Sequence, residues 1–447
     1  MIEHQDRLTV SHRKVWMLAG PIILSNISMP LVGAVDTAVV GHLPEPQSIG
    51  AVALGALIFS FLYWVFGFLR MGTTGFIAQA YGVGDWRSLS ETLSRVLLLA
   101  LTLGLITIAI AWPLIDFVLY LIDSSAGVEA LAADYANIRI RSAPAVLCVY
   151  AFTGIFIGMH NTRRAFVLQL VLNISNMLLD LLFVLGFDWG IEGVAAASVI
   201  AEYLAMGVGF YLLRSQIRIA FERFDRARLL ERTALARLFT ANSNIFIRTL
   251  CLLFAFSYFT ARSASQGEVI LAANAILLHL QSIMAYGLDG FAHAVEALAG
   301  SAYGAGRQRE FRRAVTLTSV WGAIIALLAG FIYFVFGEAI INLFTSIDAV
   351  TDNALIYLPW MVVAPILSVW SFQLDGVFIG TGHTREMRNA MIFSLLAYLA
   401  IVQVTIPLFG NHGLFLGLAL FMLIRAASLL FYFSGIESAI RATGETE

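Results

Sequence analysis

Charge is scarce in this chain. Only 13% of its 447 residues are charged, against about 25% in soluble globular domains. There is one lysine, Lys14. No glycine-rich GxxxxGKS or GxxxxGKT phosphate loop can therefore form, and this argues against direct ATP use. Cysteine is almost absent, with Cys148 and Cys251 both inside apolar runs. They read as small buried hydrophobes and exclude a disulfide framework. The net charge of −2 argues against a nucleic-acid partner. Apolar residues fill the space that charge leaves: 60% of the chain is hydrophobic and the mean hydropathy is +0.84. The chain reads as an integral membrane protein. Its first fourteen residues are polar, and the apolar run that follows is longer than a signal-peptide core. That run also lacks a small-residue cleavage site, so it is expected to stay in the mature protein.

A helix crosses a bilayer with about 20 apolar residues. Twelve runs qualify. Six lie near 15–41, 48–80, 91–119, 134–159, 164–187 and 190–213, and six near 236–261, 268–302, 312–336, 351–381, 389–410 and 413–435. The predicted fold is an all-α membrane protein with twelve transmembrane helices in two pseudo-symmetric six-helix lobes around a central cavity. Its expected divisions are an N-terminal lobe 1–213, a cytoplasmic linker 214–235 and a C-terminal lobe 236–447. Arginine marks alternate loops: Arg87, Arg163 and Arg164, then Arg214, Arg218, Arg223, Arg226, Arg228 and Arg232, then Arg307 and Arg309, then Arg385 and Arg388. The intervening loops hold Asp116, Asp123, Glu129, Asp188, Asp348 and Asp352, with Arg262 as the exception. The excess of positive charge places both termini in the cytoplasm.

The two halves repeat. AYGVG at 80–84 matches AYGAG at 302–306, and FIGMHNTR at 156–163 matches FIGTGHTR at 378–385, both at an offset of 222 residues. GIEGVA at 190–195 resembles GLFLGLA at 413–419, one residue out of step. Six spans per half give both copies the same orientation. Such parallel repeats are the architecture of a secondary transporter whose halves rock about a site between them.

Charges inside the spans are the functional signal, because a carboxylate at bilayer depth is costly unless it meets water or a partner. Asp36 lies roughly 32 Å along span one from Val15, at 1.5 Å per residue. Asp180 lies about 24 Å from Arg164, and Ser198 about 12 Å inside the opposite end of span six. All three fall in the outer half of the first lobe, where they could meet. In NISNMLLD, residues 173–180, Asn173, Asn176 and Asp180 share one helix face. Asn173 fits ligation and interhelical hydrogen bonding equally, whereas Asn176, beside Asp180, favours a functional role. Two carboxyls in one site titrate as a coupled unit. Asp36 and Asp180 could load and release a proton, or hold Na⁺ with Asn176 and Ser198 adding neutral oxygens. The sequence does not decide between H⁺ and Na⁺.

Pro21 and Pro30 lie inside span one, and each removes a backbone hydrogen bond and favours a kink. A change of partners at Asp36 could alter that bend. The second half carries a different set: Arg248, Asp289, Glu296, Asp375 and Arg425. It fits a structural ion-pair network or a substrate site, with Arg248 as counter-ion to one of the acids. Arg70, Arg139 and Arg141 read as headgroup anchors or structural pairs. His293 and Glu296 have HxxE spacing, but no complement of metal ligands accompanies them. No cofactor is expected beyond H⁺ or Na⁺ as coupling ion.

These residues resemble a known family. PIILSNISMPLVGAVDTAVVGH, LRMGTTGFIAQAYG and NISNMLLD look like the MATE multidrug and toxic compound extrusion transporters. LDGFAHAVEALAGSAYG at 288–304 and LDGVFIGTGHTREMRN at 374–389 resemble its DinF-like branch. The resemblance implies a non-enzymatic antiporter in the bacterial inner membrane. It would export amphipathic or cationic organic compounds against inward H⁺ or Na⁺ flow, with small-molecule substrates and membrane lipid as partners. A monomer suffices for such a mechanism. The resemblance makes Asp36 the coupling carboxylate and places the family's span-five pair on Asn176 and Asp180. Its span-six threonine falls on Ser198, and its bending proline on Pro21. A glycine near that bend is replaced by Ser25. The alternative reading is a flippase for lipids or lipid-linked sugars.

Overall fold

The computed structural model describes residues 9–41, 46–122, 125–222 and 226–444, and all regular structure among them is helical. Asp123 and Arg223, used above for orientation, lie outside the described residues. The elements are α1 His12–Val40, α2 Pro46–Val65, α3 Phe68–Val83, α4 Trp86–Ala109, α5 Ala111–Ile122, α6 Ala126–Arg139, α7 Ala143–Gly158, α8 Thr162–Asp180 and α9 Gly190–Leu212. Then come α10 Arg214–Glu222, α11 Arg226–Leu229, α12 Arg232–Ala264, α13 Glu268–Gly304, α14 Gln308–Phe344, α15 Asp348–Thr381, α16 Thr384–Phe409 and α17 Asn411–Gly444. Eleven stretches among the described residues are long and apolar enough to cross a membrane. The 29-residue α1 corresponds to the remaining expected span.

Several spans read as continuous are broken where the local chemistry demands it. Span two divides at Phe66 and Gly67 into α2 and α3. Span three pauses at Ile110, and Pro113, which has no N–H to donate, sits in the first turn of α5. Span four narrows to a 3₁₀ turn at Ile140–Ser142 just before Pro144 in α7. α1, by contrast, stays helical through both Pro21 and Pro30.

The chain packs as two compact units. One comprises Met1–Ile23, Ala78–Gly84 and Phe239–Glu447, and the other Leu24–Ile77 and Asp85–Leu238. α1 thus contributes its first part to one unit and its second to the other. The range 214–235 belongs to the second of these units, as α10, α11 and the start of α12. That unit has a core built around Ile58, Phe59, Tyr63, Tyr135, Val146 and Val194. The core of the other gathers Phe259, Leu277, Leu288, Tyr398, Phe415 and Phe421. Large apolar side chains such as Phe334, Leu343 and Phe431 are exposed, as lipid-facing positions require.

The repeat seen in the sequence recurs in the packing. Within α7, Gly154 lies against the Arg70 carbonyl and Gly158 against that of Thr74. Within α15, Gly376 lies against the Ala292 carbonyl and Gly380 against that of Glu296. Each pair keeps the 222-residue offset, and a Cβ at these positions would fall 2.2–2.9 Å from those oxygens. Glycines four apart let helix backbones approach where lipid supplies no hydrophobic drive between helices. The turns repeat too: Gly84 and Gly306 both take positive φ, at 77° and 66°. So do His160 and Gly382, at 59° and 77°, so one half places a histidine where the other has glycine.

One surface feature yields a modest prediction. Asp85 caps α4 by accepting the backbone N–H groups of Arg87 and Ser88 at 3.1 and 3.0 Å. The Ser88 amide bond holds the carboxyl below its ordinary value of 3.8. A depressed pKa stabilises the folded state above the ordinary value, and that contribution is lost as pH falls through the lowered one. Asp85→Ala is therefore expected to cost about 1 kcal/mol at neutral pH. In thermal melts the gap to the wild type should close below the carboxylate range.

Candidate functional site

The second-described unit brings Asp36, Asn176, Asp180 and Ser198 together. Asp36 projects from α1, Asn176 and Asp180 from one face of α8, and Ser198 from α9. The Asp36 and Asp180 carboxyls are neighbours close enough to act on one another electrostatically. Asp180 is fully buried, and neither of its oxygens receives a protein donor; Asp36 Oδ1 is also without one. One turn before Asp180, Asn176 donates its amide N–H to Ser198 Oγ at 3.2 Å. Two bare carboxylates in contact in a low-dielectric setting would repel strongly. A positive charge between them removes the conflict: a proton shared by their oxygens, or a cation.

Asn173 is used differently. Its amide donates to Ser28 Oγ at 2.6 Å and its carbonyl accepts from Gln169 at 2.9 Å. Ser28 in turn bonds the Ser25 carbonyl. Asn173 therefore ties α8 to α1 two residues before Pro30. Of the two readings open for this residue, the geometry gives the interhelical bond.

Two features of this unit escaped the sequence reading. The first is Glu202, one turn beyond Ser198 on α9, a buried acid that pairs with the partly buried Arg139 at 2.6 Å. Arg139 also bonds Ser142 Oγ at 2.9 Å, and its guanidinium lies over the Phe59 and Tyr63 rings at 5.6 and 5.8 Å. An arginine and a glutamate inside separate apolar spans were the available signal. The second is a π-helical stretch, Leu181–Gly186, that begins directly after Asp180. Such widened turns cluster at functional sites. Phe183 within it packs with Phe187 and Trp189 just beyond it, the three rings lying 4.8–6.0 Å apart.

The other unit holds a separate charged cluster. Asp375 on α15 accepts hydrogen bonds at one carboxylate oxygen, Oδ2, from both Arg248 on α12 and Arg425 on α17. All three are at least nine-tenths buried. The acid that Arg248 counters is thus Asp375. Asp289 on α13 acts on Arg425 electrostatically, and Glu296, two turns further along α13, is buried at 1% exposure.

Helices of this number and polarity, with carboxyls buried in the spans, define a multi-pass membrane protein of the secondary-transporter type. The MatE family model matches residues 21–182 and 245–405, once in each half. The chain belongs to this family of MATE transporters, which are not enzymes, and to its DinF-like branch. It is 40% identical over 428 residues to the DNA damage-inducible protein F of Escherichia coli (strain K12), covering 94% of this chain and 92% of that protein. It is 23% identical to the probable multidrug resistance protein NorM of Thermotoga maritima, over 94% of this chain and 91% of that one. Among solved structures, a MATE transporter crystallised in the bent conformation superposes with a TM-score of 0.89 at 19% identity, covering 99% of each chain. An outward-facing multidrug resistance MATE transporter gives 0.88 at 19% identity, over 97% of this chain and 98% of that one. Both share the fold.

Proposed function

We propose that this protein is a proton-coupled efflux antiporter of a bacterial inner membrane, exporting amphipathic or cationic organic compounds by alternating access. The pairing of Asp36 with the fully buried Asp180 carries the reading. Neighbouring carboxyls, with no protein donor on either Asp180 oxygen, suit a shared proton, which needs no further shell of ligands. Asn176 and Ser198 complete the polar floor of the site, with Asn173 holding α8 to α1. Loss of the proton turns Asp180 and Asp36 into mutually repelling charges. The repulsion acts on α1 between Pro30 and its end, where Pro30 has already removed a backbone bond that would resist bending. Relatives named as multidrug resistance and export proteins support the substrate class.

The test is transport by the wild-type protein in liposomes. A proton gradient imposed without sodium is expected to drive ethidium movement, and a sodium gradient at equal pH is expected to leave the dye in place. Dye movement under sodium alone would make the carboxyl pair a Na⁺ site. Silence under both gradients, with labelled lipid crossing the bilayer, would replace the antiporter by a flippase.

A further inference from the structure

α1 and α8 are the first and fifth spans, so they cross in the same direction. A relay of side chains ties them together. Asn173 Nδ2 on α8 donates to Ser28 Oγ on α1 at 2.6 Å. Asn173 is buried at 7% exposure. Its carbonyl oxygen accepts from Gln169, one turn earlier on α8, at 2.9 Å. That bond fixes which end of the Asn173 amide faces α1. The Ser28 hydroxyl in turn donates to the Ser25 carbonyl at 2.6 Å. No member of this relay titrates near neutral pH, so it forms a rung between the helices that is indifferent to protons.

The carboxyl pair is a second rung. Asp36 lies eight residues beyond Ser28, and Asp180 seven beyond Asn173. At 1.5 Å per residue these are advances of about 12 and 10 Å. Offsets of seven and eight return to the same stripe of a helix. Helices tied at the lower rung and running the same way therefore carry the two carboxyls at matching height, in agreement with their electrostatic action on one another. The lower rung is fixed, and the upper one is where charge changes. Pro30 stands between them on α1, two residues above Ser28. It lacks the N–H that would bond the preceding turn.

We propose that Asn173, oriented by Gln169, is a positioning residue: it clasps α1 at Ser28 and makes Pro30 the pivot about which α1 bends when the carboxyl pair changes charge. With the lower rung held, repulsion at Asp36 swings only the length of α1 beyond Pro30. With that rung cut, the whole helix can tilt or slide to relieve the same repulsion, and no bend is compelled. Proton exchange at the pair needs neither Ser28 nor Asn173; its conversion into movement needs both. The inference rests on the proton-coupled reading above and concerns how a change at the pair reaches α1.

The experiment compares wild type, Ser28→Ala, Ser28→Thr, Asn173→Ala and the Ser28→Ala, Asn173→Ala double variant. Two quantities are read: ethidium movement in liposomes under a proton gradient, and proton release by purified protein when tetraphenylphosphonium binds. Ser28→Ala and Asn173→Ala are each expected to slow dye movement on the order of fivefold, the scale of losing one intramolecular hydrogen bond. Both should keep the wild-type proton release per bound cation, a split that a merely structural role would not produce. Ser28→Thr keeps the hydroxyl and should transport like wild type. The double variant should be no slower than the slower single one, because both changes cut the same bond. Should Asn173→Ala fail to fold, the Ser28→Ala and Ser28→Thr pair decides, since neither leaves a large void. Wild-type transport by Ser28→Ala overturns this inference alone, as does a folded Ser28→Ala protein that has lost its proton release. A further drop in the double variant overturns the shared bond. A wild type driven by sodium and not by protons overturns the proton-coupled reading, and this inference with it.

Discussion

Replacing Asp36 with asparagine is expected to bring gradient-driven dye movement down to the level of protein-free liposomes. Asparagine matches aspartate in shape and keeps the carbonyl, so the helix contacts around position 36 survive. What it removes is the ability to carry a proton and to become a charge facing Asp180. With no ionisable partner at 36, the pair has a single protonation equilibrium and no like-charge repulsion to act on α1. Dye binding measured by fluorescence polarisation should persist, which separates loss of coupling from loss of fold. Retained gradient-driven transport in Asp36→Asn would move the coupling group elsewhere. Asp180→Asn is expected to give the same loss, because either carboxyl alone leaves the pair broken.

The second large effect lies in the other unit. Asp375→Ala would strip the carboxylate from two buried guanidinium groups and leave them facing one another. Removing one partner of a buried ion pair costs about 3–5 kcal/mol, because an uncompensated charge remains in a medium that cannot solvate it. The expected result is a steep fall in melting temperature and in the yield of monodisperse protein. A triple replacement, Arg248→Met with Asp375→Leu and Arg425→Met, takes all three charges away together and should recover most of the lost stability, since apolar isosteres of a buried ion cluster are often neutral or stabilising. If Asp375→Ala melts with the wild type, water reaches the cluster and it is better read as part of a hydrated substrate path. A stability loss rescued by the triple replacement marks a structural network.

Much of this architecture was legible because bilayers constrain sequence strongly. Run length gave the spans. The 222-residue offset between AYGVG and AYGAG anticipated a repeat that the structure restates as glycine-to-carbonyl contacts at Gly154, Gly158, Gly376 and Gly380. Helical rise alone set Asp36, Asp180 and Ser198 in the outer half of the first lobe, and the structure joins Asp36 to Asp180 and Ser198 to Asn176. The i, i+3, i+7 spacing of Asn173, Asn176 and Asp180 correctly put them on a single face. It could not tell that Asn173 faces Ser28 rather than the carboxyls, since that depends on how α1 is rotated about its axis. Glu202 was passed over because an acid in AEYLAMG has no local pattern. Its meaning comes from Arg139, 63 residues earlier in another span. The same holds for Arg248 and Asp375, which are 127 residues apart. The π-helical stretch after Asp180 has no composition of its own, as LLFVLG suits an ordinary helix equally well.

The central claim is that the Asp36–Asp180 pair exchanges a proton in the course of handling substrate. The most direct measurement is proton release by purified protein in weakly buffered detergent solution, followed with a pH-indicator dye as tetraphenylphosphonium is added. Wild type is predicted to release protons saturably as the organic cation binds, and an Asp36→Asn, Asp180→Asn double variant to release none while still binding it. Saturable binding to wild type with no proton release would contradict the account.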